Sequence, residues 1–212
     1  MNALHRCLLL AALSLLGACA MGNRYDYNDT RVAVGYSGQA RRVTVAAWDQ
    51  RPYVLDGDKD PDFVGLQRNR MGIPFDVVTA SKQPLATEMT DAMVRALATA
   101  GFGATRVTLP GGRNEAAARD ALLASRPARA LLLRVDNWES DTLKNPAVFY
   151  DLTLSVYDAS GHRLAAKTVK GTDDLEGRFF NPMEKAKQIV PDNFRLKIES
   201  LLNAPEIAAA LK

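Results

Sequence analysis

The chain has 212 residues, of which 47% are hydrophobic and 24% charged, a balance typical of one globular domain with additional segments. Its formal net charge is only +3, and no run of like charges or aromatic-basic stripe indicates a nucleic-acid partner. The only two cysteines, Cys7 and Cys19, lie near the amino terminus, so they do not indicate a disulfide framework within the domain.

The amino-terminal segment has the organisation of a bacterial lipoprotein signal peptide. A positive start with Arg6 precedes an apolar run over residues 7–16, which is too short to span a bilayer as a stable helix. The sequence LGAC at residues 16–19 resembles a lipobox, in which cleavage before the cysteine frees it for acylation. A plain secretory signal or a stray apolar start is the alternative. We predict a signal peptide over residues 1–18 and lipidation at Cys19.

The lipobox also implies a location. One acyl chain anchors a protein only marginally, and the resemblance implies three chains on the new amino terminus. Ala20 stands where an aspartate would retain a lipoprotein in the inner membrane of enteric bacteria, which implies the periplasmic face of the outer membrane. With Cys7 removed and Cys19 alkylated, thiol catalysis and cysteine metal sites are excluded. We expect a lipidated start and polar tether over residues 19–30, and a single periplasmic domain over residues 31–212.

The first half of that domain contains alternating strands and helices. Apolar periodicity and turn residues predict the following elements: an edge strand at 32–36, a buried strand at 43–48, an excursion with a small hairpin at 49–83, a helix at 84–100, a strand at 105–109 and a helix at 114–125 capped by Asn114. Gly101 suits the left-handed position after the first helix, and Phe102 can fold back on that helix as a Schellman contact.

The second half adds strands at 130–135, 148–157 and 163–170, a turn at 158–161, and helices at 182–202 and 205–211. Pro191 is expected to kink or split the longer helix. The order β-α-β-α-β-β-β-α predicts an α+β fold, a mixed β-sheet with helices packed on one face and a long excursion after the first core strand. Because these elements form a core without the excursion, we expect it to be dispensable for folding.

This pattern resembles the YajG-like family of uncharacterised bacterial lipoproteins. Besides the lipobox, the matching stretches are these: WDQR at 48–51, TAGF at 99–102, YDASGHR at 157–163 and LLNAPEIAAAL at 201–211. The resemblance implies an envelope location and an architecture, but no activity. The implied fold is also similar to that of auxiliary lipoproteins of ABC-type lipid transporters and of the amino-terminal domain of TolB.

The sequence DGDKDPD at residues 56–62 is a candidate calcium loop. Asp56, Asp58 and Asp60 fit the first three ligand positions of an EF-hand. Pro61 replaces the glycine of the sharp turn, and Gln67 replaces the bidentate glutamate. We predict a solvated turn and no metal site.

Asp49 and Arg51 follow the first core strand and form a second candidate, a conformational or binding pair. They could act as an acid-base or binding pair. The alternative, which we favour, is that Asp49 caps backbone amides while Arg51 pairs with a carboxylate of the excursion.

Three further candidates are expected to be structural. His162 stands alone at a turn and cannot build a usual zinc site. LPGGRN at residues 109–114 lacks the ending of a phosphate-binding loop and is predicted to be a loop with a helix cap. An exposed turn is predicted for Asp173, Asp174 and Glu176. A glycosidase general acid needs a raised pKa in a cleft, and an exposed turn does not provide one.

The sequence therefore predicts a non-catalytic lipoprotein without cofactor or metal, held to the membrane by its lipid anchor. We expect it to bind an unknown envelope protein through apolar residues of the excursion: Tyr53, Phe63, Leu66, Ile73 and Phe75. The alternative role of these residues is to cover an open end of the core. The alternative function is a lipid- or glycan-handling accessory similar to ABC-transporter auxiliary lipoproteins, which depends on fold likeness alone.

Overall fold

The computed structural model describes residues 22–175 and 181–212, and the structural statements below concern these residues. The predicted signal peptide, Cys19 and Glu176 lie outside them. The strands, in chain order, are β1 (Arg24–Tyr25), β2 (Arg42–Asp49), β3 (Phe63–Arg68), β4 (Pro74–Thr79), β5 (Gly103–Arg106), β6 (Arg129–Thr142), β7 (Pro146–Asp158) and β8 (Arg163–Asp174). The helices are α1 (Pro52–Leu55), α2 (Leu85–Thr99), α3 (Glu115–Leu123), α4 (Pro182–Leu202) and α5 (Pro205–Leu211).

Strand β6 organises the sheet because both of its edges are paired along most of their length. On one edge it pairs antiparallel with β7, which pairs in turn with β8. On the other edge, β2 pairs in parallel with residues 129–135 of β6 and β3 pairs in parallel with residues 140–142. Strand β5 extends the sheet beyond β2, while β4 and then β1 extend it beyond β3. The predicted α+β fold around a mixed sheet is confirmed.

Strand β2 carries apolar side chains on both of its sides, and each side is covered by helices. Val43, Val45 and Ala47 join the main core beneath α2, α4 and α5. Ala46 and Trp48 join a smaller cluster beneath α3. The prediction that the helices pack on one face holds for α2, α4 and α5 but is wrong for α3.

The predicted tether is part of the domain from Gly22 onward. Tyr25 and Tyr27 are completely buried, and the Tyr27 ring centroid lies 4.7 Å from that of Phe194. The indole Nε1 of Trp138 donates a hydrogen bond of 3.1 Å to the Tyr27 hydroxyl. Alternation of tyrosine with polar residues at positions 24–27 is the strand signal that the tether prediction overlooked.

The predicted excursion at 49–83 contains the expected hairpin, formed by β3 and β4. It is nevertheless an integral part of the sheet. Phe63, Val64 and Val77 are buried in it, and β4 provides the pairing partner of β1. The premise that the core is complete without the excursion is therefore wrong, because its residues are part of that core and β4 is the strand that pairs with β1.

The other predicted elements are mostly confirmed. Helix α2 ends in a Schellman motif, in which the Phe102 amide bonds to the Leu97 carbonyl and the Gly101 amide bonds to the Ala98 carbonyl, with Gly101 at φ +86°. Helix α4 continues through Pro191 without splitting.

Two of the predicted strands are wrong in extent or in kind. Strand β5 begins at Gly103, two residues before its predicted start. Residues 32–36 form no strand; their amides instead bond to side chains of α4 and of the residue that follows it. Among the described residues, no helix has the length and apolar character that crossing a membrane requires.

Candidate functional site

A cleft opens where β5 separates from β2. The last backbone link between this part of the chain and β2 is the 2.9 Å bond from the Val107 amide to the Val45 carbonyl. Two residues further along β2, the Ala47 amide donates instead to the hydroxyl of Thr90 on α2, at 2.8 Å. The space left between the end of β2 and residues 107–112 has a volume of about 470 Å³.

The cleft is mainly apolar, with polar groups among its lining residues. Its apolar lining comes from the excursion, from the start of α2 and from the loop after β5: Val54, Leu55, Pro61, Pro84, Ala86, Val107, Leu109 and Pro110. Polar lining groups include Gln83, Thr87 and Thr108. An apolar pocket with a few polar groups is the usual composition of a binding site.

The loop on the far side of the cleft is held in place by β2 and the residue that follows it. The carbonyl of Gly112 accepts hydrogen bonds from the indole Nε1 of Trp48, at 3.1 Å, and from Nε2 of Gln50, at 3.0 Å. The next residues lead into α3, whose first turn is capped by Asn114 as predicted. These contacts hold this side of the cleft in place.

Arg51 lies behind the cleft with a completely buried side chain. Its guanidinium contacts Asp49 through two bonds, from Nη2 to Oδ2 at 2.7 Å and from Nε to Oδ1 at 2.9 Å. It also donates to the carbonyls of Phe63, at 2.6 Å, and Pro61, at 3.1 Å. Arg51 therefore joins the end of β2 to the start of β3.

The electrostatics of this pair suit a structural role. Burial alone would lower the pKa of Arg51, but the hydrogen bonds and charge of Asp49 raise it above its usual value. A guanidinium held in this way stays protonated near neutral pH and does not act as a general acid or base. Asp49 accepts the Arg51 backbone amide at 3.2 Å, as expected of a cap, and the carboxylate that pairs with Arg51 is that of Asp49 itself, the first residue of the excursion.

The aspartate loop lies on the surface beside the cleft. Asp56 forms an exposed ion pair with Arg113, at 2.7 Å, while Asp58 and Asp60 are exposed. The backbone of residues 60–63 closes a turn through a 3.0 Å bond from the Phe63 amide to the Asp60 carbonyl. Within the described ranges, no three His, Cys, Asp or Glu side chains are grouped to hold a metal ion.

The five apolar residues predicted to bind a partner do not share one environment. Phe63 is buried, and its ring centroid lies 5.5 Å from that of Tyr53. The Tyr53 hydroxyl donates to the Trp138 carbonyl at 3.1 Å, and burial raises the pKa of Tyr53 to about 12. These two residues cover the core. Leu66 and Phe75 are half-buried in the hairpin, and only Ile73, near its tip, is exposed.

The predicted hairpin turn brings together Asp158, Ser160 and His162, the residue types of a catalytic triad, without the geometry of one. Oδ1 of Asp158 accepts a hydrogen bond from the Ser160 hydroxyl at 2.6 Å, and the same hydroxyl oxygen lies 3.0 Å from Nδ1 of His162. In a triad the carboxylate orients the histidine and the histidine takes the serine proton. Here the carboxylate holds the serine itself, in an exposed turn.

Asp173 does not provide a glycosidase acid either. Burial acts to raise the pKa of Asp173, but hydrogen bonds from Lys197, Asn193 and Tyr150 lower it overall. A general acid of this class requires the opposite shift. The cluster joins β8 to α4, and Asp173 and Asp174 lie in β8 and not in the predicted turn.

The residues that shape the cleft were missed by sequence reasoning. Thr90 is one of many polar residues on a helix, and residues 107–109 were predicted to continue the strand. The general signal that could have found the site is topological, because ligands often bind beyond the carboxyl ends of parallel strands. Strands β2 and β5 are parallel, and the cleft lies beyond the end of their pairing.

Comparisons with known proteins identify the fold but no family. The sequence matches no protein-family model and no curated protein. Protein XCC0632 from Xanthomonas campestris, of family model DUF330, superposes with a TM-score of 0.50 at 14% identity, over 84% of this chain and 91% of that one.

Two further solved structures are less similar. A PelC dodecamer from Paraburkholderia phytofirmans has a TM-score of 0.41 at 13% identity, over 85% of this chain and 95% of that one. Lipoprotein GNA1162 from Neisseria meningitidis has a TM-score of 0.28 at 10% identity, over 73% and 97%. The chain thus shares its fold with a DUF330 protein, while its resemblance to the YajG-like family stays a prediction.

Proposed function

We propose that this chain is a lipid-anchored, non-catalytic module of the bacterial envelope that binds an apolar segment of a partner protein in the cleft beyond β2. Cys19 would carry the lipid, and the domain would face the periplasm from the outer membrane. The observation that supports the proposal is a mainly apolar cleft whose charged neighbours, Asp49 and Arg106, form ion pairs within the domain.

The anchor is supported by the lipobox at residues 16–19 and by Ala20 after the cysteine. A non-catalytic role is supported by the groups around the cleft. Asp49 is held by Arg51, and Arg106 at the cleft contacts Asp91 at 3.2 Å. Neither pair leaves a carboxylate poised to exchange a proton with a bound substrate.

A peptide fits the lining better than an acyl chain does. A peptide segment brings backbone amides and carbonyls that need hydrogen-bond partners, and Gln83, Thr87 and Thr108 supply polar groups among the apolar side chains. An acyl chain would need no such partners. The alternative, a lipid-handling accessory, is supported by the mainly apolar lining, and the experiment below separates the two.

The proposal is tested by photo-crosslinking in cells. A benzophenone amino acid replaces Leu109 at the cleft in the full-length chain, and the matched control carries it at Ala159, an exposed position in the turn between β7 and β8. We expect irradiation to give a protein adduct from position 109 and none from position 159.

Different results would change the proposal in different ways. An adduct at position 109 that contains phospholipid and no protein, seen by mass spectrometry, would favour the lipid-handling alternative. No adduct of either kind at position 109 would contradict binding in the cleft. Incorporation of labelled palmitate into the Cys19→Ala variant would contradict Cys19 as the site of the lipid anchor.

A further inference from the structure

The first described residues of the domain fix where the chain leaves it. The Asn23 amide donates to Oε1 of Gln67 at 3.0 Å, and the Asn23 side-chain amide donates to the Met183 carbonyl. Gly22 is packed so closely on β4 that a side chain at this position would collide with the Asp76 carbonyl. Gly22 is therefore the first described residue of the folded domain.

That start leaves a short connection to the proposed lipid. From Cys19 to Gly22 there are three residue steps, which span at most about 11 Å. The polar layer of each leaflet is itself roughly 5–7 Å thick, half the difference between the full bilayer and its hydrocarbon core. If Cys19 is acylated as proposed, this end of the domain contacts the lipid headgroups.

The exit lies at one end of the sheet. Strand β1 runs parallel to β4, so the chain enters β1 from the side on which β4 begins. The hairpin tip consists of residues 69–73, and β4 begins directly after it. The turn at residues 143–145 lies at the same end, because Thr142 at the end of β6 pairs with Gln67 in β3. We call the hairpin tip together with this turn the anchor end.

The anchor end carries exposed apolar side chains. Met71 is 80% exposed, Ile73 is 48% exposed and Leu143 is 45% exposed, and these are half of the six large apolar side chains exposed in the described part of the chain. The tip is well ordered by its own bonds, since Oδ1 of Asn69 accepts from the amides of Met71 and Ile73. The protein thus holds apolar groups outward in a fixed turn.

The hairpin tip at the anchor end carries an exposed basic side chain, Arg70. Three neighbouring carboxylates form ion pairs within the domain: Asp76 with Lys59, Asp141 with Arg68 and Glu184 with Lys187. Basic residues beside a bilayer are attracted to anionic phospholipids.

We propose that the anchor end lies on the phospholipid surface, with Met71, Ile73 and Leu143 inserted among the headgroups and Arg70 on the anionic lipids. This inference depends on the proposed acylation of Cys19. It gives the domain one orientation on the membrane, in which β7 rises from the surface and the turn at residues 158–161 lies roughly 40 Å away.

The experiment uses the full-length chain, expressed with its signal peptide and purified in acylated form. It is reconstituted in vesicles of phosphatidylethanolamine and phosphatidylglycerol. Since the chain has only two cysteines, removed or alkylated under the proposal, a single new cysteine can be labelled with an environment-sensitive fluorophore. The labelled variants are Met71→Cys and Leu143→Cys, with Ala159→Cys as the control at the distant end.

We expect the labels at positions 71 and 143 to emit at shorter wavelength than the label at 159, and to be quenched by lipids that carry a nitroxide headgroup. The double substitution Met71→Asp with Ile73→Asp should bring the label at 143 close to the behaviour of the label at 159. Palmitate labelling of Cys19 is measured in every variant.

Two failures are distinguishable. If Cys19 is acylated and all three labels behave alike, the orientation is overturned while the lipoprotein proposal stands. If no palmitate enters the wild-type chain, the anchor of the proposed function and this inference both fall. Binding of a partner in the cleft is measured separately by crosslinking at Leu109.

Discussion

The end of β2 and the aspartate loop at residues 56–62 each provide the aspartate of an aspartate–arginine ion pair, one in buried and one in exposed surroundings. In the first, Arg51 contacts Asp49 at 2.7 Å, with side chains 0% and 16% exposed. In the second, Arg113 contacts Asp56 at the same distance, with side chains 62% and 58% exposed. Water can replace either member of the exposed pair, whereas the buried Arg51 has only Asp49 and two carbonyls as partners. The comparison indicates that burial, more than distance, decides what such a contact contributes.

The largest expected effect comes from removing the buried arginine. Arg51→Ala would leave Asp49 without its partner and the carbonyls of Phe63 and Pro61 without their donor. Removing one member of a buried ion pair typically lowers the free energy of unfolding by about 3–5 kcal/mol. We expect a loss of that size, measured by urea unfolding of the purified full-length chain.

Arg113→Ala is the matched control, because it removes the same residue type from a pair of the same length. Exposed pairs of this kind contribute about 0–1 kcal/mol. If the two alanine variants lost similar free energy of unfolding, the distinction between the two regions would fail, and Arg51 would not be the link between β2 and β3.

A second test concerns two tyrosine hydroxyls. Tyr27→Phe removes the acceptor of the Trp138 indole, which is completely buried, and an unsatisfied buried donor costs about 1–3 kcal/mol. The control, Tyr36→Phe, removes a 2.8 Å bond to the Leu202 carbonyl at a half-buried site. We expect Tyr27→Phe to lower the melting temperature more than Tyr36→Phe does. The reverse order would argue that residues 24–27 contribute little to the core.

How far the sequence predicted the fold depends on the range of the contacts involved. Helix α2 and its end were predicted because Gly101 and Phe102 act on the last turn of their own helix. Strand β1 was not predicted, since its partner β4 lies more than fifty residues away along the chain. The period-two pattern of Tyr25 and Tyr27 was visible, but only the tertiary structure shows what covers them.

The candidate site was harder to predict than the fold, for the same reason. Asp49 and Arg51 were identified from their place after a strand, but the other partners of Arg51 are carbonyls at the start of the hairpin, Pro61 and Phe63, which only the tertiary structure brings to it. The cleft exists because the chain leaves β2 after Val107, and no local sequence signal marks that departure. Thr90 matters only because it bonds to the Ala47 amide at that point.

A third test uses a buried carboxyl in the first turn of α2. Glu88 is almost completely buried; Oε1 accepts from Asn28 and Ser81, while Oε2 has no partner within the described residues. Burial raises the pKa of Glu88. The protonated form thus favours the fold, so its stabilisation is complete below the unfolded pKa of about 4.3 and is lost as pH rises through the raised folded pKa.

We therefore expect the stability of the wild type, relative to Glu88→Gln, to decrease as pH rises through that window. Urea unfolding at a series of pH values measures the difference. Glu184→Gln removes an exposed acid from the first turn of α4 and should keep the wild-type pH profile, because Glu88 is still present. A flat difference between wild type and Glu88→Gln would show that burial of Glu88 does not perturb its titration.

The smallest expected effect concerns the aspartate loop. Asp56 is engaged with Arg113, Pro61 prevents the glycine turn of an EF-hand, and Gln67 cannot supply the bidentate carboxylate. We expect calcium to bind more weakly than about 10⁻⁴ M, the tighter limit of extracellular calcium modules. The measurement is the free energy of unfolding of the full-length chain with and without calcium.

A site with a dissociation constant of about 10⁻⁴ M would stabilise the fold by about 1.4 kcal/mol at roughly 1 mM calcium, because ligand that binds only the folded state adds RT ln(1 + [L]/Kd). We expect a much smaller change. Asp58→Asn with Asp60→Asn is the control for the origin of any effect: it removes two exposed carboxylates and should alter stability by no more than about 0.5 kcal/mol each. Stabilisation by calcium in the wild type that disappears in this variant would make the loop a metal site, and exposure would then be no guide to which carboxylates of this region have a role.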